Sequence, residues 1–257
     1  TDHRPPTTDH RLQPFIISSM KTISAIIRKE LLTYFNSPVA YIFISVFLVM
    51  SSWLFFRTFF IDGQASMRTY FSIIPWIFLF IIPAITMRLW SEEKKLGTIE
   101  ILMTLPVKDY DVVIGKFLGS LSFLIIMIAL SFPIPILVLS LGNADLGVIV
   151  SSYLGTIFLG ASYLAIGLYV SSFTKNQIIS FIVAIALSFF LFILGEDIVT
   201  YFVPQTLVPV VQYLGLSKHF DSIIRGVLDT RDIIYYLSII GLFLYLNVRS
   251  IAKWKAN

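Results

Sequence analysis

The sequence predicts an all-α integral membrane protein with six membrane-spanning helices. Of its 257 residues, 57% are hydrophobic and only 13% are charged, about half the charged share of an ordinary soluble domain. Several stretches of about 20 residues are nearly free of charge, and this is the length that a helix needs to cross a bilayer. The composition excludes disordered and fibrous chains and almost any soluble enzyme. Because the chain has no cysteine, disulfides and thiolate metal sites are excluded as well.

Residues 1–19 are predicted to be a disordered tail or an over-extended start, and residues 20–257 a single transmembrane domain. The tetrapeptide at residues 1–4 recurs at residues 8–11, with two prolines between the copies. The tail lacks the apolar segment of a signal peptide, whereas Met20 followed by Lys21 resembles a natural start.

Residues 21–35 have the periodicity of an amphipathic helix. Its apolar side chains recur at helical spacing: Ile23, Ile26, Ile27, Leu31, Tyr34 and Phe35. The charged residues Arg28, Lys29 and Glu30 come just before the first span, so we expect a helix that lies in the cytoplasmic membrane interface. The alternative is a helix that simply extends the first span.

The predicted spans are residues 39–60, 70–87, 117–144, 146–174, 176–195 and 233–248. The first requires the Arg57 side chain to extend toward a water interface. Pro133 and Pro135 should kink the third span, and Gly142 should end it. Small residues at its start, Gly115 and Gly119, should let another helix approach closely. The fourth span is the richest in small residues and should be the most buried.

A further apolar stretch, residues 198–217, contains Pro204, Pro209 and Gly215 and fits poorly as one helix. The cations argue against a seventh span, because six spans with cytoplasmic termini place most of them inside. The inner cations would be Lys21, Arg28, Lys29, Arg88, Lys94, Lys95, Lys108, Lys116, Lys175, Arg249, Lys253 and Lys255, and the outer ones Arg57, Arg68, Lys218, Arg225 and Arg231. We therefore expect outer helices, re-entrant or not, between spans five and six.

The charged segment between spans two and three has the features of a docking helix. Thr98 can cap a short helix whose first turn carries Glu100, where a carboxylate suits the helix dipole. Pro106 should end that helix. From composition alone, a helix that docks into another protein and a solvated connecting loop remain equal alternatives.

This segment resembles the cytoplasmic loop of ABC-2 type transporter permeases. There, a Glu-rich stretch leads into a coupling helix of the form Gly-Thr-(Ile/Leu)-Glu-x-Leu-x-Thr-Leu-Pro-Val, and residues 92–107 match it. Residues 28–41 and 113–118 are also similar to the family. Within it, the chain is most similar to the gliding-motility GldF and NosY-type permeases.

The resemblance implies specific roles for these residues. The ATPase-coupling residues would be Gly97, Thr98, Glu100, Ile101, Leu102, Leu105 and Pro106. The flanking residues Glu92, Glu93, Lys94 and Lys95 would pair with the interface helix or remain solvated.

The resemblance also implies a subunit of a larger complex in a bacterial inner membrane. Its partners would be an ABC ATPase subunit, which uses ATP and Mg, a second permease subunit that is GldG-like or a second copy of this chain, and membrane lipids. This chain would bind no cofactor, metal or nucleic acid, and it has no catalytic residue of its own. It lacks the motif G-x-x-x-x-G-K-[ST], and the pair Gly115–Lys116 has neither the earlier glycine nor a following Ser or Thr.

The function expected is therefore coupling of ATP hydrolysis to export or mechanical work in a gliding-motility complex, with copper-site maturation as the alternative. A secondary transporter usually has Asp, Glu or broken helices at mid-membrane, and no predicted span has a carboxylate there. A membrane-embedded enzyme would need clustered His, Asp or Glu. His219 and Asp221 are too sparse for a metal site, and we expect His219 to be a hydrogen-bonded surface side chain.

Overall fold

The computed structural model describes residues 13–64, 66–104 and 107–256, and the regular structure of these residues consists of thirteen α-helices. They are α1 (Gln13–Phe35), α2 (Pro38–Asp62), α3 (Arg68–Thr86), α4 (Arg88–Leu96), α5 (Thr98–Thr104), α6 (Asp109–Ala129), α7 (Pro133–Leu141), α8 (Leu146–Ser171), α9 (Gln177–Ile193), α10 (Asp197–Thr200), α11 (Val208–Leu214), α12 (Leu216–Ile224) and α13 (Thr230–Ala256). The predicted tail lies largely outside the described residues.

Within the described part of the chain, five helical stretches are long and apolar enough to cross a membrane. They are Pro38–Ile61, Arg68–Leu96, Asp109–Leu141, Leu146–Ser171 and Thr230–Trp254. Helix α9 is apolar but shorter, at 17 residues. This arrangement is that of a multi-pass integral membrane protein.

Helix α1 is distinct from the first apolar helix. A turn at Asn36 and Ser37 separates them, and the Ser37 hydroxyl caps α2 by accepting a hydrogen bond from the Val39 amide at 3.3 Å. Helix α1 packs mainly along α6. Part of its apolar stripe therefore contacts protein, whereas the sequence suggested a helix that turns this stripe to lipid.

The third predicted span begins earlier than expected. Helix α6 starts at Asp109 instead of residue 117, with Asp109 and Asp111 in its first turn, where carboxylates are stabilised by the helix dipole. The helix is interrupted by a turn between α6 and α7, just before Pro133, and Gly142 ends α7, as the sequence predicted.

Helix α8 is the centre of the molecule. It contacts α3, α6, α9, α12 and α13 and is the most buried of the five long apolar helices, as its small residues predicted. Side chains from α3 and α6 lie directly over its glycines. A β-carbon on Gly160 would lie 2.5 Å from the Leu124 side chain, and one on Gly167 would overlap that of Thr86.

Residues 198–217 form no continuous helix. The chain passes through α10 and α11 into α12, whose buried Leu216, Phe220 and Ile223 belong to the main hydrophobic core. Helix α12 packs on α8 and α13. The stretch is therefore an irregular element of short helices, and α12 anchors it.

The prediction of a surface position for His219 was wrong. Its ring is buried, stacks on Tyr235 with 3.9 Å between centroids, and places Nδ1 2.7 Å from Asp232 Oδ1. Its Nε2 lies 2.9 Å from the Tyr213 carbonyl oxygen. His219 thus ties α11, α12 and α13 together, which sequence spacing could not show because Asp232 is on another helix. Among the described residues, no cluster of three His, Cys, Asp or Glu could hold a metal ion.

Candidate functional site

The predicted coupling segment directly follows the long apolar helix α3. Helix α4 continues from α3 after a break at Met87, whose amide donates to the Pro83 carbonyl at 2.8 Å. Gly97 ends α4 with φ +73°, a left-handed conformation that glycine adopts without a steric penalty. The chain then turns directly into α5.

Helix α5 has one anchored side and one open side. Ile99 is almost fully buried, at 1% exposure, and belongs to the hydrophobic core. Glu100 and Thr98 are exposed, with Glu100 in the first turn, and the Thr98 hydroxyl donates to the Glu93 carbonyl at 3.4 Å. Leu105 and Pro106 lie outside the described residues, as do the side chains of Ile101 and Leu102.

A buried ion cluster joins α4 to α1 and α6. The Lys116 ammonium of α6 donates to Glu30 Oε1 of α1 at 2.9 Å and to Glu93 Oε1 of α4 at 2.8 Å. It also donates to the Leu89 carbonyl at 3.1 Å. The Lys116 side chain is only 3% exposed. One cation thus connects three helices at the base of the coupling segment.

Further charges surround this cluster. Lys29 lies 3.6 Å from Glu93 Oε1 and is mostly exposed. The Arg88 guanidinium lies over the Tyr34 ring, 4.8 Å from its centroid. Burial raises the pKa of the Tyr34 hydroxyl to about 12, so that Tyr34 remains neutral, and it hydrogen-bonds to Ser120 at 3.1 Å. The two carboxylates therefore lie among cations that offset their charge.

Helix α4 is also fixed to the ends of α8 and α13. The amides of Trp90 and Ser91 donate to the Ser171 hydroxyl at 2.9 and 3.3 Å. The Lys94 ammonium donates to the Ser172 carbonyl and lies 5.8 Å from the Trp254 ring centroid. Of the four predicted flanking residues, Glu93 lies beside Lys29 of α1 and Lys94 contacts the end of α8. Glu92 and Lys95 are exposed.

Helix α1 packs closely against the small residues of α6. A β-carbon on Gly115 would lie 2.8 Å from the Ile26 Cβ, and one on Gly119 would lie 2.8 Å from the Glu30 Cβ. The Tyr34 ring stacks on Phe123 with 4.8 Å between centroids. Successive turns of α1 therefore meet successive turns of α6, and the two helices run side by side in the same direction.

Comparison with known proteins identifies the family. Residues 56–252 match the family described as ABC-2 family transporter protein, which is most of the chain and includes α4, α5 and Lys116. The chain belongs to the ABC-2 transporter family. No curated protein matches the chain.

As an ABC-2 family member, the chain is a membrane permease of an ABC transporter, the non-catalytic transmembrane subunit that typically works with an ATPase subunit. Helix α5, Glu93 and Lys116 lie within the matched region, whereas Lys29 and Glu30 of α1 precede it. The ABC-2 permease thus has a short, partly exposed helix whose base is fixed to four other helices.

The sequence carries one signal for the ion cluster, and it lies on helix α1. Ile26, Glu30 and Tyr34 are four residues apart and share one face of α1, so that a carboxylate lies on an otherwise apolar stripe. Such a carboxylate needs a buried cation, and Lys116 lies between the two glycines at which α1 approaches α6. No comparable signal pointed to Ser171, because its contacts with α4 depend on how α8 ends.

Proposed function

We propose that α5 is the coupling helix of this permease, and that it transmits movements of a separate ATPase subunit to the membrane helices. The main support for this proposal is the buried ion cluster around Lys116. A docking helix transmits motion only if its base is rigid, and Lys116 holds α4 to α1 and α6 at 2.8–2.9 Å.

The charge arrangement favours concerted movement of these helices. A force on α5 would reach α4 through Gly97 and the buried Ile99. Separating α4 from α6 would leave Glu93 and Lys116 partly unpaired in a buried site, which costs several kcal/mol. Helices α1, α4 and α6 would therefore move together, and the contacts of Trp90 and Lys94 would carry the movement to α8.

We propose a six-span topology in which α9 is the fifth span and both termini are cytoplasmic. A helix of 17 residues is about 26 Å long, which is within the range of membrane spans when the bilayer thins locally. The distribution of Lys and Arg supports this orientation, and we expect a bacterial inner membrane.

The work performed is proposed to be export or mechanical movement in a gliding-motility complex, with ATP and Mg bound by the ATPase. The similarity of residues 28–41 and 92–107 to GldF-type permeases supports this assignment. Copper-site maturation by a NosY-type complex is the second candidate, supported by the same residues. The second permease subunit would be GldG-like or another copy of this chain.

The test is co-purification from native membranes in mild detergent, comparing Glu100→Lys with the unmodified chain. We expect a phosphate-loop ATPase to co-purify with the unmodified chain. The Glu100→Lys variant should lose at least about tenfold of that ATPase, because charge reversal at an interface costs several kcal/mol.

The matched control is Asp197→Lys, at the opposite end of the molecule. Lys95 of α4 lies beside Asn176 at the start of α9, whereas Asp197 follows the far end of α9 and is 89% exposed. This variant should retain the ATPase. Equal retention by both variants would show that α5 is not the docking helix.

A further inference from the structure

A cavity of about 460 Å³ lies between the end of α4 and the start of α9. Among the described residues, its lining contains two lysines and no carboxylate: Lys95, Lys175, Asn176, Gln177 and Ile178. Both lysines are exposed, and within the described part of the chain neither forms a salt bridge with a carboxylate. The cavity therefore presents positive charge to a ligand.

A third lysine adds to this charge. The Lys94 ammonium is fixed by its hydrogen bond to the Ser172 carbonyl, and Lys175 is close enough to repel it. The side-chain oxygen of Asn176 accepts hydrogen bonds from two amides in the first turn of α9 at 2.9 and 3.4 Å, so that these amides are already paired. An anion in the cavity would meet the lysine ammonium groups and reduce their mutual repulsion.

The cavity adjoins an apolar face of α9. Ile178 lines the cavity and is 67% exposed. Ile179, Ile182 and Val183 continue the exposed apolar surface over the next turn of the helix. On a helix that crosses a bilayer, such a face contacts acyl chains. The cationic cavity and the apolar face together match an anionic headgroup and the chains attached to it.

We propose that this cavity binds the headgroup of an anionic phospholipid, with the phosphate on Lys95 and Lys175 and the acyl chains along the apolar face of α9. Basic pockets between helices at the cytoplasmic side of a membrane can bind anionic headgroups. Phosphatidylglycerol suits this pocket because its net charge is negative. Phosphatidylcholine also has a phosphate, but its quaternary ammonium would add a cation among the lysines.

A bound lipid would link α4 to α9, which lie in contact. The proposal rests on the proposed membrane position of α9 and not on whether α5 docks an ATPase.

The test reconstitutes the purified complex in bilayers of equal parts phosphatidylglycerol and phosphatidylcholine, in which one of the two lipids carries a diazirine on an acyl chain. After illumination, mass spectrometry of peptides measures the labelling of residues 178–183 relative to α7, whose Ile136 and Leu141 are also exposed. We expect the phosphatidylglycerol probe to label residues 178–183 at least about fivefold more than the phosphatidylcholine probe, the ratio that one lysine near an anionic lipid typically gives.

The double variant Lys95→Gln with Lys175→Gln should lose this excess. The matched control is Lys21→Gln with Lys253→Gln, which removes the same charge from exposed positions on α1 and α13 and should keep the excess. Without added lipid, both double variants should melt like the unmodified chain, because all four lysines are exposed. That measurement separates loss of the lipid from loss of the fold.

Equal labelling of residues 178–183 by the two probes in the unmodified chain would overturn the proposal. An excess that persisted in Lys95→Gln with Lys175→Gln would do so too, since the lipid would then bind elsewhere. Loss of the excess in the matched control would show that bulk charge is its cause, which also contradicts a site at α4 and α9.

Two further results would identify other errors. If free glycerol phosphate raised the melting temperature of the delipidated complex as much as phosphatidylglycerol does, the ligand would be a soluble anion and the lipid assignment wrong. If neither probe labelled residues 178–183 while both labelled α7, then α9 would not face lipid, and the proposed topology would fail together with this site.

Discussion

Lys116 uses every proton of its ammonium group on partners from α1 and α4. From the sequence alone, Lys116 is a cation expected on the cytoplasmic side, and it follows Gly115 in a pair that lacks the rest of a phosphate-binding motif. Its position between Gly115 and Gly119 decides its role, because these glycines bring α1 close enough for Glu30 to reach the ammonium. Residue-level chemistry here depends on helix packing.

Removing the Lys116 charge should strongly destabilise the protein. In Lys116→Met, Glu30 and Glu93 lose their shared buried cation, a change that costs about 3–5 kcal/mol. The melting temperature in detergent should therefore fall by several degrees. Lys95→Met, at an exposed position of α4, should stay within about 0.5 kcal/mol of the unmodified protein. Equal melting of the two variants would contradict the buried cluster.

Asp221 on α12 should make stability depend on pH. Burial raises the pKa of its carboxyl above the usual value, although Arg225 and Lys218 act in the opposite direction. A raised folded-state pKa means that stability is fully present at low pH and is lost as pH rises through that pKa. Asp221→Asn should therefore melt higher than the unmodified protein near about pH 7, and the difference should vanish near about pH 3. A difference that persisted at low pH would show that burial of the charge is not the cause.

At the scale of helices, the close contact of α1 with α6 depends on glycines of α6, which have no side chain to keep α1 away. In Gly115→Val, the new side chain would meet Ile26 and displace α1 from α6. Trypsin should then cleave after Arg28 and Lys29 faster than in the unmodified protein, as measured in native membranes. Gly241→Val on α13 is the matched control, since a β-carbon there meets nothing within 4 Å.

A second substitution separates steric displacement from general loss of folding. The pair Gly115→Ala with Ile26→Gly removes the Ile26 Cβ and Cγ2, which the new β-carbon would meet at 2.8 Å, so that cleavage should return toward the rate of Ile26→Gly alone. If the double variant were cut as fast as Gly115→Ala, the clash with Ile26 would not be the reason.

The helices themselves were largely predictable, because long uncharged stretches and an amphipathic segment have few alternative structures. Proline and glycine signals also placed the break before Pro133 and the end at Gly142 correctly. The start of α6 at Asp109 is not visible in the pattern of uncharged residues, because charge limits the part of a helix inside the hydrocarbon and not the helix itself. In a membrane protein, a helix can continue beyond the hydrocarbon, where carboxylates cap its first turn.

The candidate site was only partly predictable. Local spacing predicts a short helix that begins near Thr98, and the resemblance of residues 92–107 to ABC-2 permeases predicts that this helix couples to an ATPase. The partners of Glu30, Lys94 and His219 come from α6, α8 and α13 respectively, and such pairings depend on how distant helices pack. The sequence therefore indicated which residues were out of place, such as a carboxylate on an apolar stripe, but not what they contact.

For the whole molecule, the proposed function is that of a permease whose α5 end receives force and whose helix bundle responds. Helix α4 is held to α1, α6, α8 and α13, so that four helices contact the segment from which α5 extends. The opposite end, with α10 and α11, is held chiefly through α12 and His219. A force applied at α5 should therefore move several spans at once.

Site-specific cross-linking in native membranes tests the central claim most directly. Because the chain has no cysteine, Glu100→Cys and Tyr201→Cys each introduce a single attachment point for a photoactivatable maleimide. Tyr201 is 85% exposed and follows α10 at the other end of the molecule. We predict that position 100 cross-links to a phosphate-loop ATPase and that position 201 does not. An ATPase captured at position 201, or none at position 100 while the ATPase co-purifies, would contradict the account.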